Sequence, residues 1–372
     1  MKRFLALTSL LTFLAACASA GTGDGTIKIG FIGPLTGAAV SYGTDMLHAV
    51  QMRVEEVNAA GGINGRIVEL VTEDGRCTGN DAASAAQKLI HVDKVVAVIG
   101  GACSSETLGA APVAETAKVV QISPISSAPD IKDAGDFVFR TIPSDAKKGI
   151  SMAAYIVEQG YRGVAMVSEN TDYAVGIRDG IKNALPEGVV LILNETVEPG
   201  TKDFRALFAR LEDSDFDVFV SNPQTDDVLA AMITQLREAG FSQPIVSQDI
   251  ADSRKLLELA PEAAEGMRMF NTSSLLGTAG GEGSFAARFK AKYGEAQSNM
   301  SFATLSYDAA GVLFQAIGTA GTDGASIRDA LYDLEKYEGA AGGFRFDEFG
   351  EVVGIENVLK AMSGGTIVEL SE

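Results

Sequence analysis

The sequence predicts an α/β protein of two lobes, each a parallel sheet flanked by helices. Three observations carry this expectation. The chain has 372 residues, more than one ordinary hydrophobic core accommodates. Strand-like apolar runs alternate with segments whose apolar residues recur at helical spacing, the pattern of right-handed βαβ units. The alternation restarts after Arg140 with no long Pro- or Ser-rich linker at the break, so short ordered crossings join the lobes and suit a hinged clamshell.

Element by element, 27–32 reads as a buried strand closed by Gly33-Pro34. Met46, Leu47, Val50, Val54 and Val57 then define a helix that Gly61-Gly62 stops. Residues 67–72 form a second strand, and Ala82, Ala83, Ala86, Leu89 and Ile90 mark a second helix. A strand at 95–99, a helix from about Ser104 and a strand at 119–122 follow. In the second half, helices at 145–159, 173–185, 204–211 and 228–239 alternate with strands at 164–168, 189–193, 218–220 and 245–247. The last part of the chain is helix-rich, at 284–293, 302–320 and 326–334. It closes with short strands near 344–346 and 355–361, around the turn Asp347-Glu348-Phe349-Gly350.

The N-terminus reads as an address. Met1-Lys2-Arg3 is a positive start, 4–16 is apolar and shorter than a membrane span, and Ala18-Ser19-Ala20 is an A-x-A cleavage pattern. Leu14-Ala15-Ala16-Cys17 also resembles a bacterial lipobox, so the leader ends either at 20 or at 16 with Cys17 lipidated. Both readings export the chain to the periplasm. Cys77 and Cys103 then remain in an oxidising compartment, where a disulfide is the default and two separate thiols the alternative. Such a bridge closes a loop of about 26 residues, worth roughly 3 kcal/mol.

Composition narrows the function. Lys plus Arg total 30 against 49 Asp plus Glu, a formal charge of -19, which repels phosphate backbones and argues against nucleic-acid binding. The 2 histidines, His48 and His91, sit within helical patterns without a Ser/Asp arrangement around them, and no GxxxxGK[ST] loop or HExxH is present. Gly21 to Gly25 precedes a strand instead of joining strand to helix, and Asp74, Thr78, Asn80 and Asp81 lack calcium-loop spacing. The reading is a non-enzyme with no cofactor and no metal.

In open parallel sheets, ligands sit at the carboxyl ends of strands, against helix N-termini. There the chain carries Gly100-Gly101-Ala102-Cys103-Ser104, where Ser104 is either a carboxylate-binding hydroxyl or a cap of its own helix. Ser123-Pro124-Ile125-Ser126-Ser127-Ala128-Pro129 offers hydroxyls and a turned-out carbonyl, or is simply a polar loop. Asn170-Thr171-Asp172-Tyr173 and Gln248-Asp249 stand at equivalent places in the second half; Asp249 either balances a ligand ammonium or caps a helix near Ser253.

Taken together, Gly33-Pro34-Leu35-Thr36-Gly37, Tyr42-Gly43, Gly61-Gly62-Ile63-Asn64-Gly65, Cys103-Ser104-Ser105, the Ser123 to Pro129 loop, Tyr173 and Lys202-Asp203-Phe204 resemble a known family. It is that of the periplasmic leucine/isoleucine/valine-binding proteins of branched-chain amino acid ABC transporters, and the likeness runs over 27–368. The resemblance implies a type I periplasmic binding fold with three crossings, a monomer serving inner-membrane permease subunits. It implies lobes of 26–142 plus 273–350 and of 143–272 plus 351–372. It implies that Ser104 and Ser127 hold a ligand α-carboxylate, and that the Ile125 carbonyl and Asp249 take the ammonium. Tyr173 would reach in from the far lobe, Tyr42, Ala102, Cys103 and Phe302 would shape the side-chain pocket, and Gln224 is a further candidate ligand contact. The Cys77–Cys103 pair also matches the family. Departures are Asp249 where glutamate is usual, Ser127 where threonine is frequent, and a loop around Gln224 that lacks a tyrosine. The Gln224 loop, and Ala102 where a leucine is sometimes found, touch side-chain selectivity and not head-group recognition, while the shorter arm of Asp249 calls for a water or a deeper-seated ligand; an amide, a γ-amino acid, an aromatic acid or a sensory role stand as alternatives.

Overall fold

The computed structural model describes residues 25–370. The leader, its cleavage pattern and Cys17 lie outside the described residues. In the first lobe, β1 (Ile27–Gly33) leads to α1 (Val40–Ala59), β2 (Val68–Asp74) to α2 (Gly79–Gln87), and β3 (Ala97–Ile99) to α3 (Ser104–Ala117). β4 (Val120–Ser123) and β5 (Val138–Arg140) complete a parallel five-stranded sheet of order β2-β1-β3-β4-β5. Strand β5 is absent from the sequence reading, because three residues are too few to show a period. Helix α2 runs into a π-helical turn, Lys88–Asp93, which keeps Leu89 and Ile90 buried.

The chain then crosses into α4 (Asp145–Glu158), β6 (Gly163–Glu169), α5 (Asp172–Ala184), β7 (Val190–Val197), α6 (Arg205–Ala209) and β8 (Val218–Asn222). α7 (Asp226–Glu238), β9 (Ile245–Gln248), α8 (Arg254–Leu259), α9 (Pro261–Ala264) and β10 (Arg268–Thr272) follow. The chain returns to the first lobe as α10 (Phe285–Tyr293), α11 (Met300–Ala320), α12 (Gly324–Tyr332), and the small sheet β11 (Tyr337–Gly339), β12 (Gly342–Phe346) and β13 (Val352–Val353). It finishes with β14 (Asn357–Ser363) and β15 (Thr366–Glu369), antiparallel additions to a seven-stranded sheet of order β15-β14-β10-β9-β8-β6-β7. Because β13 pairs with β12, the last crossing falls after Val353, a little beyond the expected 350.

Both sheets are wound alike. Reading β6 to β10 as a second set of five, the order 7-6-8-9-10 repeats 2-1-3-4-5. In each, the first and third strands are neighbours whose connections leave in opposite directions, which opens a crevice at their carboxyl ends. The two crevices form where β1 meets β3 and where β6 meets β8.

Three crossings tie the lobes together, at 141–144, 273–284 and 354–356. Arg140, wholly buried, donates through Nη1 to the Ala128 carbonyl (2.8 Å) and pairs through Nη2 with Glu351 (2.5 Å), so the first and last crossings are pinned side by side. Near the second crossing, Lys360 and Asn271 donate to Asp252 at 2.5 and 2.8 Å, and Asn299 donates to the Asp252 carbonyl at 2.7 Å. The lobes touch. A Cβ on Gly176 of α5 would lie 2.4 Å from Cδ of Pro129 in the first lobe, so only glycine permits this approach.

Candidate functional site

Four strand-to-helix connections meet between the lobes. From the first lobe, β3 feeds the N-terminus of α3, and β4 feeds the loop that carries Ser127. Gly100, at φ +144°, lies so close to β1 that a Cβ there would sit 2.1 Å from the Ile32 carbonyl oxygen. Cys103 holds the N-cap position of α3 and bonds to Cys77 across 5.2 Å between Cα atoms, a spacing ordinary for a disulfide. Ser104 is therefore the first helical residue and does not cap its own helix. Its hydroxyl accepts from the Ala128 N–H at 3.1 Å and retains a proton to donate, beside the positive end of the helix dipole.

The serines of the second loop divide into two kinds. Ser123 donates to the Gly101 carbonyl at 2.8 Å, and Ser126 lies 3.0 Å from the same oxygen and 2.7 Å from Thr107 Oγ1. These two knit the loops to each other. Ser127 Oγ, by contrast, is fully buried and finds no hydrogen-bond partner among the described residues. Ile125 and Ala102 are buried close to it in sequence or on the neighbouring strand end.

Behind the Ala102–Cys103 turn sits a carboxylate that the sequence reading passed over. Glu106, wholly buried, accepts from the N–H groups of Cys77 (2.9 Å), Ala102 (2.9 Å) and Cys103 (3.1 Å). Burial pushes its carboxyl up from 4.5 to about 7, although the three N–H groups pull it down. The folded chain thus holds a proton here that the unfolded chain releases near 4.5, and stability falls as pH rises from about 4.5 through 7. The linked contribution is about 3 kcal/mol. Urea unfolding of Glu106→Gln at several pH values should lack this part of the wild-type decline; parallel curves for the two proteins would refute it.

From the second lobe, Tyr173 on the first turn of α5 donates its hydroxyl to Asp249 Oδ1. Asp249 opens a 3-10 turn after β9, and Ser253 caps α8 itself, accepting from Leu256 at 3.3 Å, so Asp249 is not spent as that cap. The same Oδ1 receives Lys148 Nζ at 2.6 Å, and Lys148 also donates to Asp145 Oδ1 at 2.8 Å. Asp145 in turn donates its N–H to the Ser127 carbonyl at 2.8 Å. One connected path therefore runs from Ser127 through Asp145 and Lys148 to Asp249 and Tyr173, with all five residues buried. Burial raises the Asp145 carboxyl even though Lys148, and more weakly the Ser127 side chain, pull the other way.

Neither Asp145 nor Lys148 was singled out in the sequence, yet a signal was present. In α4 the buried residues are Asp145, Lys148, Gly149, Met152, Ala153 and Ile156, one unbroken helical stripe. An aspartate and a lysine three apart on an otherwise apolar stripe mark a buried ion pair.

Tyr42, on α1, crosses between lobes and donates to Asp226 Oδ2 at 2.9 Å, while its ring packs on Phe302 of α11 with centroids 6.2 Å apart. Burial lifts both tyrosine hydroxyls, Tyr42 and Tyr173, well above their ordinary pKa, with neighbouring carboxylates adding to the effect. Gln224 is only half-buried and enters through its backbone, whose N–H donates to Glu169. Of the residues expected from the sequence, Ser127, Tyr173 and Asp249 share one network, Ala102, Cys103 and Ser104 line one helix entry, and Tyr42 with Phe302 forms a third wall.

Comparison with known proteins follows this geometry. Residues 26–360 match the family model described as periplasmic binding protein. A protein of Pseudomonas aeruginosa called amino acid binding protein is 31% identical over 65% of this chain and 66% of its own length. The leucine-, isoleucine-, valine-, threonine- and alanine-binding protein of the same organism is 29% identical over 91% of this chain and 90% of that one. The crystal structure of the branched-chain amino acid transporter substrate binding protein LivJ of Streptococcus pneumoniae, in complex with isoleucine, superposes with a TM-score of 0.82 at 29% identity, covering 93% of this chain and 100% of that one.

Proposed function

The chain belongs to the periplasmic binding protein family, and we propose that it is the exported solute-binding component of an ABC transporter whose lobes close on an aliphatic α-amino acid. The observation that carries this reading is the charge of the buried network. Asp145 and Asp249 share a single cation, Lys148, so with both carboxylates ionised the group holds one negative charge without a counter-ion. A ligand ammonium supplies it. Asp249 Oδ2, which neither Lys148 nor Tyr173 uses, is the acceptor for that ammonium, together with the Ile125 carbonyl.

The ligand carboxylate then takes the Ser104 and Ser127 hydroxyls at the N-terminus of α3. Among the described residues the Ser127 hydroxyl is near only the Asp145 carboxyl and makes no bond to the loops, and the helix dipole favours an anion there. Tyr42 spends its hydroxyl on Asp226, so it offers a ring face to the ligand, beside Phe302, Ala102 and the Cys103 bridge. These surfaces suit an aliphatic side chain. The closed form, with its lobes in contact, is what a permease would engage, and the unit that acts is a monomer. An ammonium-free acid is disfavoured here because it would raise the buried excess from one negative charge to two.

Isothermal titration of the mature chain, unfolded and refolded to remove copurified solute, tests this. The panel contains α-amino acids, γ-aminobutyrate, simple amides and benzoates. One-to-one binding of leucine, isoleucine or valine is expected. Binding confined to benzoates or amides would overturn the assignment of Asp249.

A further inference from the structure

We infer that Lys148 is a positioning and specificity-determining residue of the ligand site: its ammonium, locked between Asp145 and Asp249, presets the head-group pocket to receive one further cation. This inference rests on the amino-acid reading above and deepens it.

Three features separate Lys148 from an ordinary core ion pair. First, its two contacts do different things. The bond to Asp145 (2.8 Å) anchors the ammonium to its own helix, and the bond to Asp249 (2.6 Å) reaches the turn after β9 in another layer of the same lobe. Second, Lys148 and the Tyr173 hydroxyl converge on Oδ1 of Asp249, with the ammonium 5.5 Å from the centre of the Tyr173 ring. Two donors on one oxygen fix the carboxylate plane and assign the other oxygen to the ligand. Third, Lys148 lies one turn beyond the first crossing, and Asp145 is bonded to the Ser127 carbonyl at 2.8 Å. The ammonium-binding carboxylate is thereby referenced to the loop that holds the ligand's opposite end.

The chemistry of removal distinguishes this role from packing. Lys148 continues the stripe of Met152 and Ile156, so methionine fits the space. Without the lysine, Asp145 and Asp249 face each other with no cation between them, and one carboxyl must take up a proton near neutrality. A ligand ammonium set against the pair weakens its hold on that proton, so binding drives the proton off and is favoured as pH rises. The ligand's affinity then depends on pH more steeply than in wild type. The other titratable groups around the site are Tyr173 on α5, Tyr42 on α1, Asp226 on α7 and Glu106 behind the Ala102–Cys103 turn; the tyrosines stay neutral throughout, and Asp226 and Glu106, the latter pushed up to about 7, are the same in both proteins.

The experiment titrates L-leucine and its ammonium-free analogue 4-methylpentanoate into wild type and Lys148→Met at pH 6 and pH 8. Wild type, with Glu106 and Asp226 in common with the variant, sets the reference ratio of leucine affinities at the two pH values. Lys148→Met should lose about tenfold more affinity at pH 6 than at pH 8. A variant weakened equally at both pH values, with the wild-type ratio, would show a packing role and overturn the inference. Should Lys148→Met fail to fold, Asp145→Asn decides. It leaves Lys148 matched one-to-one with Asp249, so leucine affinity should fall about tenfold and 4-methylpentanoate should bind more tightly than to wild type. Wild-type affinities for both ligands in that variant would refute the proposal. Failure of the amino-acid reading itself is visible separately, in wild type alone, as binding of 4-methylpentanoate with no response to leucine.

Discussion

Asp249→Asn should abolish most leucine binding, by roughly 30-fold or more, while changing the stability of the unliganded protein much less. Truncating one partner of a buried charge pair across a binding site costs about 2–5 kcal/mol. The asparagine keeps the shape of the residue and can still accept from Tyr173 and Lys148, but it makes the buried network neutral. Stability is spared because Lys148 retains Asp145 at 2.8 Å, so no buried ammonium is left alone. Removing the only partner of a buried charge would instead cost about 3–5 kcal/mol. Titration calorimetry and urea unfolding on the same preparation check both halves. Leucine affinity within threefold of wild type would remove Asp249 from the site.

The second large effect concerns Gly43→Ala, where two forces oppose each other. Gly43 lies inside α1, and alanine there gains about 1 kcal/mol of helix propensity. The added Cβ, however, would stand 2.1 Å from the Pro34 carbonyl oxygen and 2.7 Å from its carbon, both backbone atoms that cannot rotate away. Overpacking of this kind costs about 1–3 kcal/mol or more, so the net result should be a loss of about 2 kcal/mol. Relief requires α1 to move off the β1 turn, which carries Tyr42 away from Asp226 and Phe302. Leucine affinity should therefore fall with stability. Gly318→Ala on α11 is the matched control, since its Cβ would meet only Ile63 at 3.7 Å and the propensity gain stands alone. Urea unfolding followed by far-ultraviolet circular dichroism should rank Gly318→Ala at or above wild type and Gly43→Ala well below. The reverse order would mean that α1 shifts at little cost.

Much of this protein is local and legible in the sequence. Strand β1 is apolar but for Lys28 and buried along nearly its whole length, so it reads as a central parallel strand. Helices α4, α5 and α7 have strong one-sided patterns and were located to within a few residues of their observed ends. The strand-to-helix junctions carry Ser104, Tyr173 and Asp249 because a parallel sheet can place ligand groups at little else. The Cys77–Cys103 bridge followed from compartment and an even count, and it is present.

What the sequence could not contain is the pairing of residues distant along the chain. Strands β5 and β10 are short, and β10 has its register set by β9 on one side and β14 on the other, so no period of its own announces it. The division of the three loop serines, two knitting and one unpartnered, depends on where Gly101 and Thr107 lie in space. Lys148 and Asp249 are separated by 101 residues, and Tyr42 and Asp226 by 184. A buried charge is stable only beside its counter-charge, and which charges become neighbours is decided by the packing of layers, not by spacing along the chain. The sequence by itself determined the fold and the strand-to-helix junctions where Ser104, Tyr173 and Asp249 stand; the tertiary structure decided which charges meet there.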